Sequence, residues 1–312
     1  MRFEVASLLL LCSCQTTGRP ETPLGFLVRA EKHLERQEAD QAVALLESID
    51  EESFGGVDRE RYKYDLARGY FAQKEYYDCY EVLKDFVRKH PASTYYSRVE
   101  ELVFHAGANL AASGWSFLGI ASDMSDARRV LEHFLVAHPK SVFVPEALRI
   151  LGEAAYQDDE LETAIDRFTE LLEKSPESQW KDLARFRIAM SRFKLLIGPD
   201  YDAGALEEAH KELADYLRSN STNPDFVTQA ARALATTDFW IQDKDLRIAR
   251  FYLRIGKPFG ARLHLQRILA KTDAYYREEA LALMEDVRRM ERQAVPEGAG
   301  PTSRAGGKRG DR

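Results

Sequence analysis

One short phrase occurs three times in the chain: His90-Pro91-Ala92-Ser93, His138-Pro139-Lys140-Ser141 and Ser175-Pro176-Glu177-Ser178. Proline lacks a backbone N–H and disfavours helix at the residue before it, so each phrase marks a helix end. The serine that follows can cap the next helix by accepting a backbone N–H. Twelve positions before each proline lies a small residue (Cys79, Ala127, Ala164), and eight before it a large apolar one (Leu83, Leu131, Phe168). Equivalent small anchors stand at Ala42, Ala209 and Ala261, so the anchors are separated by 37, 48, 37, 45 and 52 residues. A lone helical unit cannot bury its apolar face, so this rhythm confines the chain to stacked copies of one unit.

The rest of the body agrees. From Pro23 to Met290 apolar residues recur at three- and four-residue spacing, and no alternating strand pattern stands out. Breakers separate the segments: Phe54-Gly55-Gly56, Ile197-Gly198-Pro199-Asp200, Asn223-Pro224 and Gly256-Lys257-Pro258. The spacing resembles the tetratricopeptide repeat, a helix–turn–helix unit of about 34 residues. The fold expected is all-α: a tetratricopeptide-like helical-repeat superhelix of about six helix–turn–helix units, closed by a capping helix from Glu278 to about Met290. First helices supply Leu66, Ala67 and Tyr70 in the second unit and Leu151, Gly152 and Ala155 in the fourth. The longer gaps are insertions at Ala112–Ser125 and Pro199–Gly204 and a helix extension at Asp225–Ile241. An unrelated helical bundle would not need six consistent anchors.

The organisation expected is a signal peptide over 1–13, a lipidated tether over 14–22, N-terminal repeats over 23–180, C-terminal repeats and cap over 181–293, and a disordered tail over 294–312. The tail is rich in Gly, Pro and Arg with no apolar anchor. Its Arg309-Gly310-Asp311 tripeptide reads as coincidence. At the start, Arg2 precedes an apolar run from Val5 to Leu11 that ends in small residues, the layout of a secretory signal. Leu11-Cys12-Ser13-Cys14 resembles a bacterial lipobox, with Cys14 the acylated residue because small Ser13 sits on the cleavage side. Glu4 departs from a positive leader, and the alternative is a buried N-terminal strand or helix. Gln15, not aspartate, follows the cysteine, and by the sorting pattern of lipoproteins resembling this one that implies the outer membrane. Such a chain attaches to a membrane by its acyl groups without spanning it.

Composition removes several function classes. A net charge of −7 and a pI near 5.6 argue against a nucleic-acid binder. Three cysteines, two of them in the first fourteen residues, exclude a disulfide framework. No apolar run reaches the roughly 18 residues a spanning helix needs. The seven histidines form no metal-spaced cluster and read as surface or capping residues, and Cys79 reads as buried core. Gly307-Lys308 lacks the rest of a phosphate loop, and no G-x-S-x-G occurs. Asp158-Asp159 and Glu207-Glu208 suit polar faces and helix starts. No enzyme, metal or cofactor is expected.

Binding is the better expectation. Tetratricopeptide proteins place the second, fifth, ninth and twelfth residues of each first helix on the concave wall. Here those are Arg61, Tyr64, Arg68 and Phe71 in the second unit, and Glu146, Arg149, Glu153 and Tyr156 in the fourth. Arginines beside aromatics can hold a peptide carboxylate and an apolar side chain, so Arg61, Tyr64, Arg68, Phe71, Arg149 and Tyr156 form a candidate peptide groove.

The last two units carry a closer likeness. Ala249-x-x-Tyr252, a Gly256-Lys257 turn, Ala261 and a leucine-rich helix resemble the last repeat of the BamD family, the outer-membrane lipoproteins of β-barrel assembly. Phe193-Lys194-Leu195-Leu196, Pro199-Asp200-Tyr201-Asp202, Ala209 and Leu213 resemble that family's penultimate repeat. Asp245 fits its acidic residue four before the alanine, and Glu278-Glu279-Ala280-Leu281 its closing helix. The likeness runs from about Cys14 to Met290 and is densest after Lys181. It implies a non-catalytic scaffold, lipid-anchored at the outer membrane and facing the periplasm. Its partners would be the barrel-assembly subunit and unfolded outer-membrane proteins, with contacts around Trp240, Asp245 and Arg247. The departures are Ser219-Asn220-Ser221-Thr222 and Lys271-Thr272-Asp273 in place of the usual helix-end tag, Trp240 where a basic contact residue is expected, and six units where five are common. The rival readings are a generic tetratricopeptide adaptor of the cell envelope and a helical domain attached to an enzyme.

Overall fold

The computed structural model describes residues 22–114, 122–199, 201–219 and 221–294. The proposed signal peptide, Cys14 and the tail beyond 294 lie outside these residues, as does the middle of the Ala112–Ser125 insertion. Among the described residues the regular elements are all helical. Contacts divide the chain between Ile150 and Leu151 into two compact units.

The first unit holds α1 (Pro23–Glu35), α2 (Ala39–Glu47), α3 (Gly56–Gln73), α4 (Tyr76–Leu83), α5 (Phe86–Lys89), α6 (Tyr96–Gly114), α7 (Ser122–Ala137) and the start of α8 (Val144–Gln157). The second holds the rest of α8, then α9 (Leu161–Lys174), α10 (Lys181–Lys194), α11 (Ala203–Arg218), α12 (Pro224–Arg254), α13 (Pro258–Leu269) and α14 (Arg277–Ala294). In each unit consecutive helices pack on one another, and α1, α3 and α6, or α10, α12 and α14, also touch in turn. Within each unit these first helices therefore meet the next first helix as well as their partner, the packing of a helical repeat.

The six anchors carry this packing. Ala42, Cys79, Ala127, Ala164, Ala209 and Ala261 are each 0 or 1% exposed, and each sits in the second helix of a pair. The large residues four positions later, Leu83, Leu131 and Phe168, are buried as well. Their partners explain why small residues recur. A Cβ on Gly107 would come within 2.8 Å of Leu131, and one on Gly152 within 2.9 Å of the Phe168 ring, so both helix crossings require glycine.

The three tags fold alike. The Ser93, Ser141 and Ser178 amides donate to the carbonyls of His90, His138 and Ser175 at 3.0–3.1 Å. Each serine Oγ then accepts from the amide two residues on, at Tyr95, Phe143 and Trp180 (3.1–3.2 Å). The fifth unit lacks the proline, yet Ser221 Oγ takes the same bond from the Asn223 amide. In the sixth the acceptor comes from elsewhere: Gln242 Oε1 receives the Tyr275 amide at 2.9 Å.

Side chains one repeat apart also bond. Gln73 donates to Asp40, Ser93 to Glu60, and Tyr276 to Asp243, each 33 residues apart, and Arg187 to Glu153, 34 apart. Such pairs are what stacking of like units produces. One sequence expectation needs correction: His138 is buried, not on the surface. It stacks on Phe134 at 5.1 Å and meets Tyr96 edge-on, and only its carbonyl serves the tag.

Candidate functional site

Arg61, Tyr64, Arg68 and Phe71 recur every three or four residues on α3 and so share one face. All four are half-buried. Between them stands Asp65, almost fully buried, one turn from both arginines. Arg61 reaches Glu31 at 2.6 Å and Asp65 at 3.4 Å, while Arg68 reaches the other Asp65 oxygen at 3.3 Å. The Arg68 guanidinium lies 5.6 Å from the Tyr64 ring centre, and Tyr64 packs on Tyr95 at 5.2 Å. Phe71 turns to Tyr76 at the far end of the face. Burial pushes the Asp65 carboxyl above its ordinary value, against the pull of Arg68 and Arg61. The structure thus brings Arg61, Tyr64 and Arg68 together, but around a carboxylate of the chain itself.

The fourth-unit residues are engaged too. Arg149 pairs with Glu146 at 2.6 Å. Tyr156 has the Arg187 guanidinium 4.3 Å and the Lys194 ammonium 4.4 Å from its ring centre, and Arg187 makes a two-point bond to Glu153 at 2.7 and 2.9 Å. Sequence reasoning passed over Arg187, although its position one repeat after Glu153 was a readable signal.

Near the C-terminus, Trp240 stacks on Phe193 at 5.9 Å and packs against the Leu196, Leu206 and Ala209 cluster. Asp245 is buried, accepting from His264 Nδ1 at 2.8 Å, with Arg267 Nε at 3.4 Å. Both face into the repeat stack. Arg247, beside Asp243 at 3.0 Å, is about 39% exposed. Beyond it α12 and α13 meet at a tip whose apolar side chains stand in solvent: Phe251, Ile255, Phe259 and Leu263. A cleft of about 560 Å³ there is lined by Tyr252, Lys257, Phe259, Leu263 and Glu291. These tip residues were missed because core-like spacing on a final hairpin resembles core.

Cys79 is buried and its thiol is pushed up to about 12, which makes it an inert core residue. Among the described residues no group of three His, Cys, Asp or Glu is placed to hold a metal ion, and no helix is long and apolar enough to cross a membrane. The arrangement can bind surfaces and segments through paired charges, rings and an apolar tip.

The sequence model of the YfiO family, described as an outer membrane lipoprotein, matches residues 120–296, from α7 to just past α14. No curated protein matches the chain.

Proposed function

The chain belongs to the YfiO, or BamD, family of outer membrane lipoproteins, whose role is in outer-membrane protein assembly, and from that membership we propose that it is a non-catalytic scaffold of β-barrel assembly. The family match across the last repeats carries this reading. In it, an acyl anchor on Cys14 holds the protein on the periplasmic face of the outer membrane. The C-terminal repeats dock the barrel-assembly subunit, with the part-exposed Arg247 side chain among the contacts proposed there. Trp240 and Asp245 act through the packing that presents that surface. Unfolded barrel segments use the N-terminal groove, where half-buried Tyr64 and Phe71 offer apolar contact.

Affinity purification of tagged protein after crosslinking is expected to recover a barrel-assembly subunit. Recovery of none sinks the scaffold reading and favours a generic peptide-binding adaptor. Mass spectrometry of the mature N-terminus tests the anchor: a diacylated or triacylated Cys14 is expected, and Cys14→Ala should release the protein from the membrane fraction. A photo-crosslinker at Tyr64 that captures no unfolded barrel protein would remove the groove from the proposal.

A further inference from the structure

We propose that the tip of the α12–α13 hairpin is a membrane-contact site that seats its apolar side chains in the interface of an anionic bilayer. Four observations meet there. First, a stripe on α12 runs Ile241, Lys244, Ile248, Phe251, Ile255 at helical spacing. The start of α11 covers its first half, since Ala203, Leu206 and Glu207 line one cleft with Ile241, Lys244 and Ile248. Past Ile248 the stripe continues uncovered. Second, α13 adds Phe259 and Leu263 one turn apart. Exposures of 51% for Phe251, 44% for Ile255, 69% for Phe259 and 48% for Leu263 are too large for satisfied core positions. Their helices bury other faces, through Leu246 and Ala249 and through Ala261, Leu265 and Ile268.

Third, the charge is one-sided. Nearby carboxylates have arginines of their own: Asp243 with Arg247, Glu279 with Arg250, Glu291 with Arg262. Arg254 and Lys257 flank the Gly256 turn, are exposed, and have no carboxylate partner among the described residues. Fourth, the cleft at the tip joins the apolar walls of Tyr252, Phe259 and Leu263 to Lys257, and the one acid that also lines it, Glu291, is paired with Arg262. Apolar side chains beside uncompensated cations match a surface that is apolar beneath and phosphate-bearing above. An acidic protein would satisfy only the charges unless it also brought an apolar face. The family's membrane attachment puts a bilayer within the protein's surroundings.

The test uses the full chain carrying Cys14→Ala, so that no acyl group contributes, and flotation with vesicles. Binding is expected to phosphatidylethanolamine–phosphatidylglycerol vesicles, to weaken with salt, and to be poor on phosphatidylcholine alone. Phe259→Ser with Leu263→Ser, or Arg254→Ser with Lys257→Ser, should each weaken it on the order of tenfold. Val136→Ser with Val142→Ser, at exposed valines of the first unit, should leave it unchanged. Equal flotation of tip and control variants, or equal binding to neutral vesicles, overturns the proposal. So does a result in which the tip variants float normally but no longer crosslink to a barrel-assembly subunit, because the tip is then a protein surface. Circular dichroism of each variant separates these outcomes from loss of fold.

Discussion

The α3 wall and the α12–α13 tip are both rich in arginine and aromatic side chains, yet they handle charge in opposite ways. On α3, Arg61 and Arg68 close on Asp65, Arg61 adds Glu31, and Arg68 lies over Tyr64. At the tip, Arg254 and Lys257 have no carboxylate partner among the described residues, and four large apolar side chains stand in solvent. The residue types on a face therefore do not say whether it is available. What matters is whether a carboxylate lies one turn away. Asp65 is four residues after Arg61 and three before Arg68, whereas no acid lies three or four residues from Arg254 or Lys257.

The largest effect is expected where that difference is sharpest. Asp65→Ala leaves two half-buried guanidinium groups short of a partner. Removing one member of a buried ion pair costs about 3–5 kcal/mol, and because Arg61 keeps Glu31, both arginines reach solvent and ionised Asp65 is itself penalised by burial, the loss here should be about 1–2 kcal/mol. Urea unfolding measures it. A loss below about 0.5 kcal/mol would mean that Asp65 does not hold the arginines, and would return them to the peptide groove as free groups.

Gly260→Ala probes the tip from its base. A Cβ there would lie 2.7 Å from the Tyr252 ring, which is itself stacked on His264 at 5.9 Å. Overpacking of about 1–3 kcal/mol is set against a helix-propensity gain of up to about 1 kcal/mol, for a net loss of about 1 kcal/mol. A stabilised variant would show that Tyr252 swings aside, and that the cleft it lines is not fixed.

Much of the fold was legible in the sequence because the repeat writes its constraints at fixed spacing. The small anchors are small since helices cross at them, and each tagged serine turns the chain by accepting the amide of the residue just before the next helix, after proline has ended the one before. The site was less legible. Spacing along one helix places Trp240, Asp245 and Tyr156 on a face, but it does not show which side chain arrives from the next helix. Phe193 takes Trp240, His264 takes Asp245, and Arg187 takes Tyr156. His138 misled for the same reason: the tag shows its backbone role, while its burial is set by Phe134 and Tyr96. The unbroken-looking second helix of the second unit is in fact two, α4 and α5, with a turn at Lys84-Asp85 for which no sequence signal stands out.

His138 also gives the first unit a pH dependence. Burial pulls its pKa below the ordinary 6.5, opposed by nearby Glu100. The unfolded chain then binds a proton that the folded chain resists, so stability rises with pH between the two values. The contribution is fully present above about pH 6.5 and is lost as pH falls through the depressed folded value. His133 and His210 are shifted in the same direction, chiefly by burial. Urea midpoints compared at neutral and mildly acidic pH should therefore fall on acidification, and His138→Leu should remove part of that fall and not all of it. An unchanged slope in the variant would mean that His138 protonates without penalty. Asp65 works the other way at lower pH: its raised carboxyl is penalised when ionised, so its term eases as pH drops towards the ordinary 3.8.

The smallest effect is expected at the tip itself. Arg254→Ser with Lys257→Ser removes two exposed cations that hold no carboxylate, so stability should stay within about 0.5 kcal/mol of the parent. This bears directly on the contrast with α3. Charges kept for the fold reveal themselves by their cost when a partner is removed, as Asp65→Ala should. Charges kept for a surface outside the chain are silent in unfolding and show only in binding. A double variant that loses more than about 1 kcal/mol would place Arg254 and Lys257 among the structural charges, and the two faces would then differ in geometry but not in purpose.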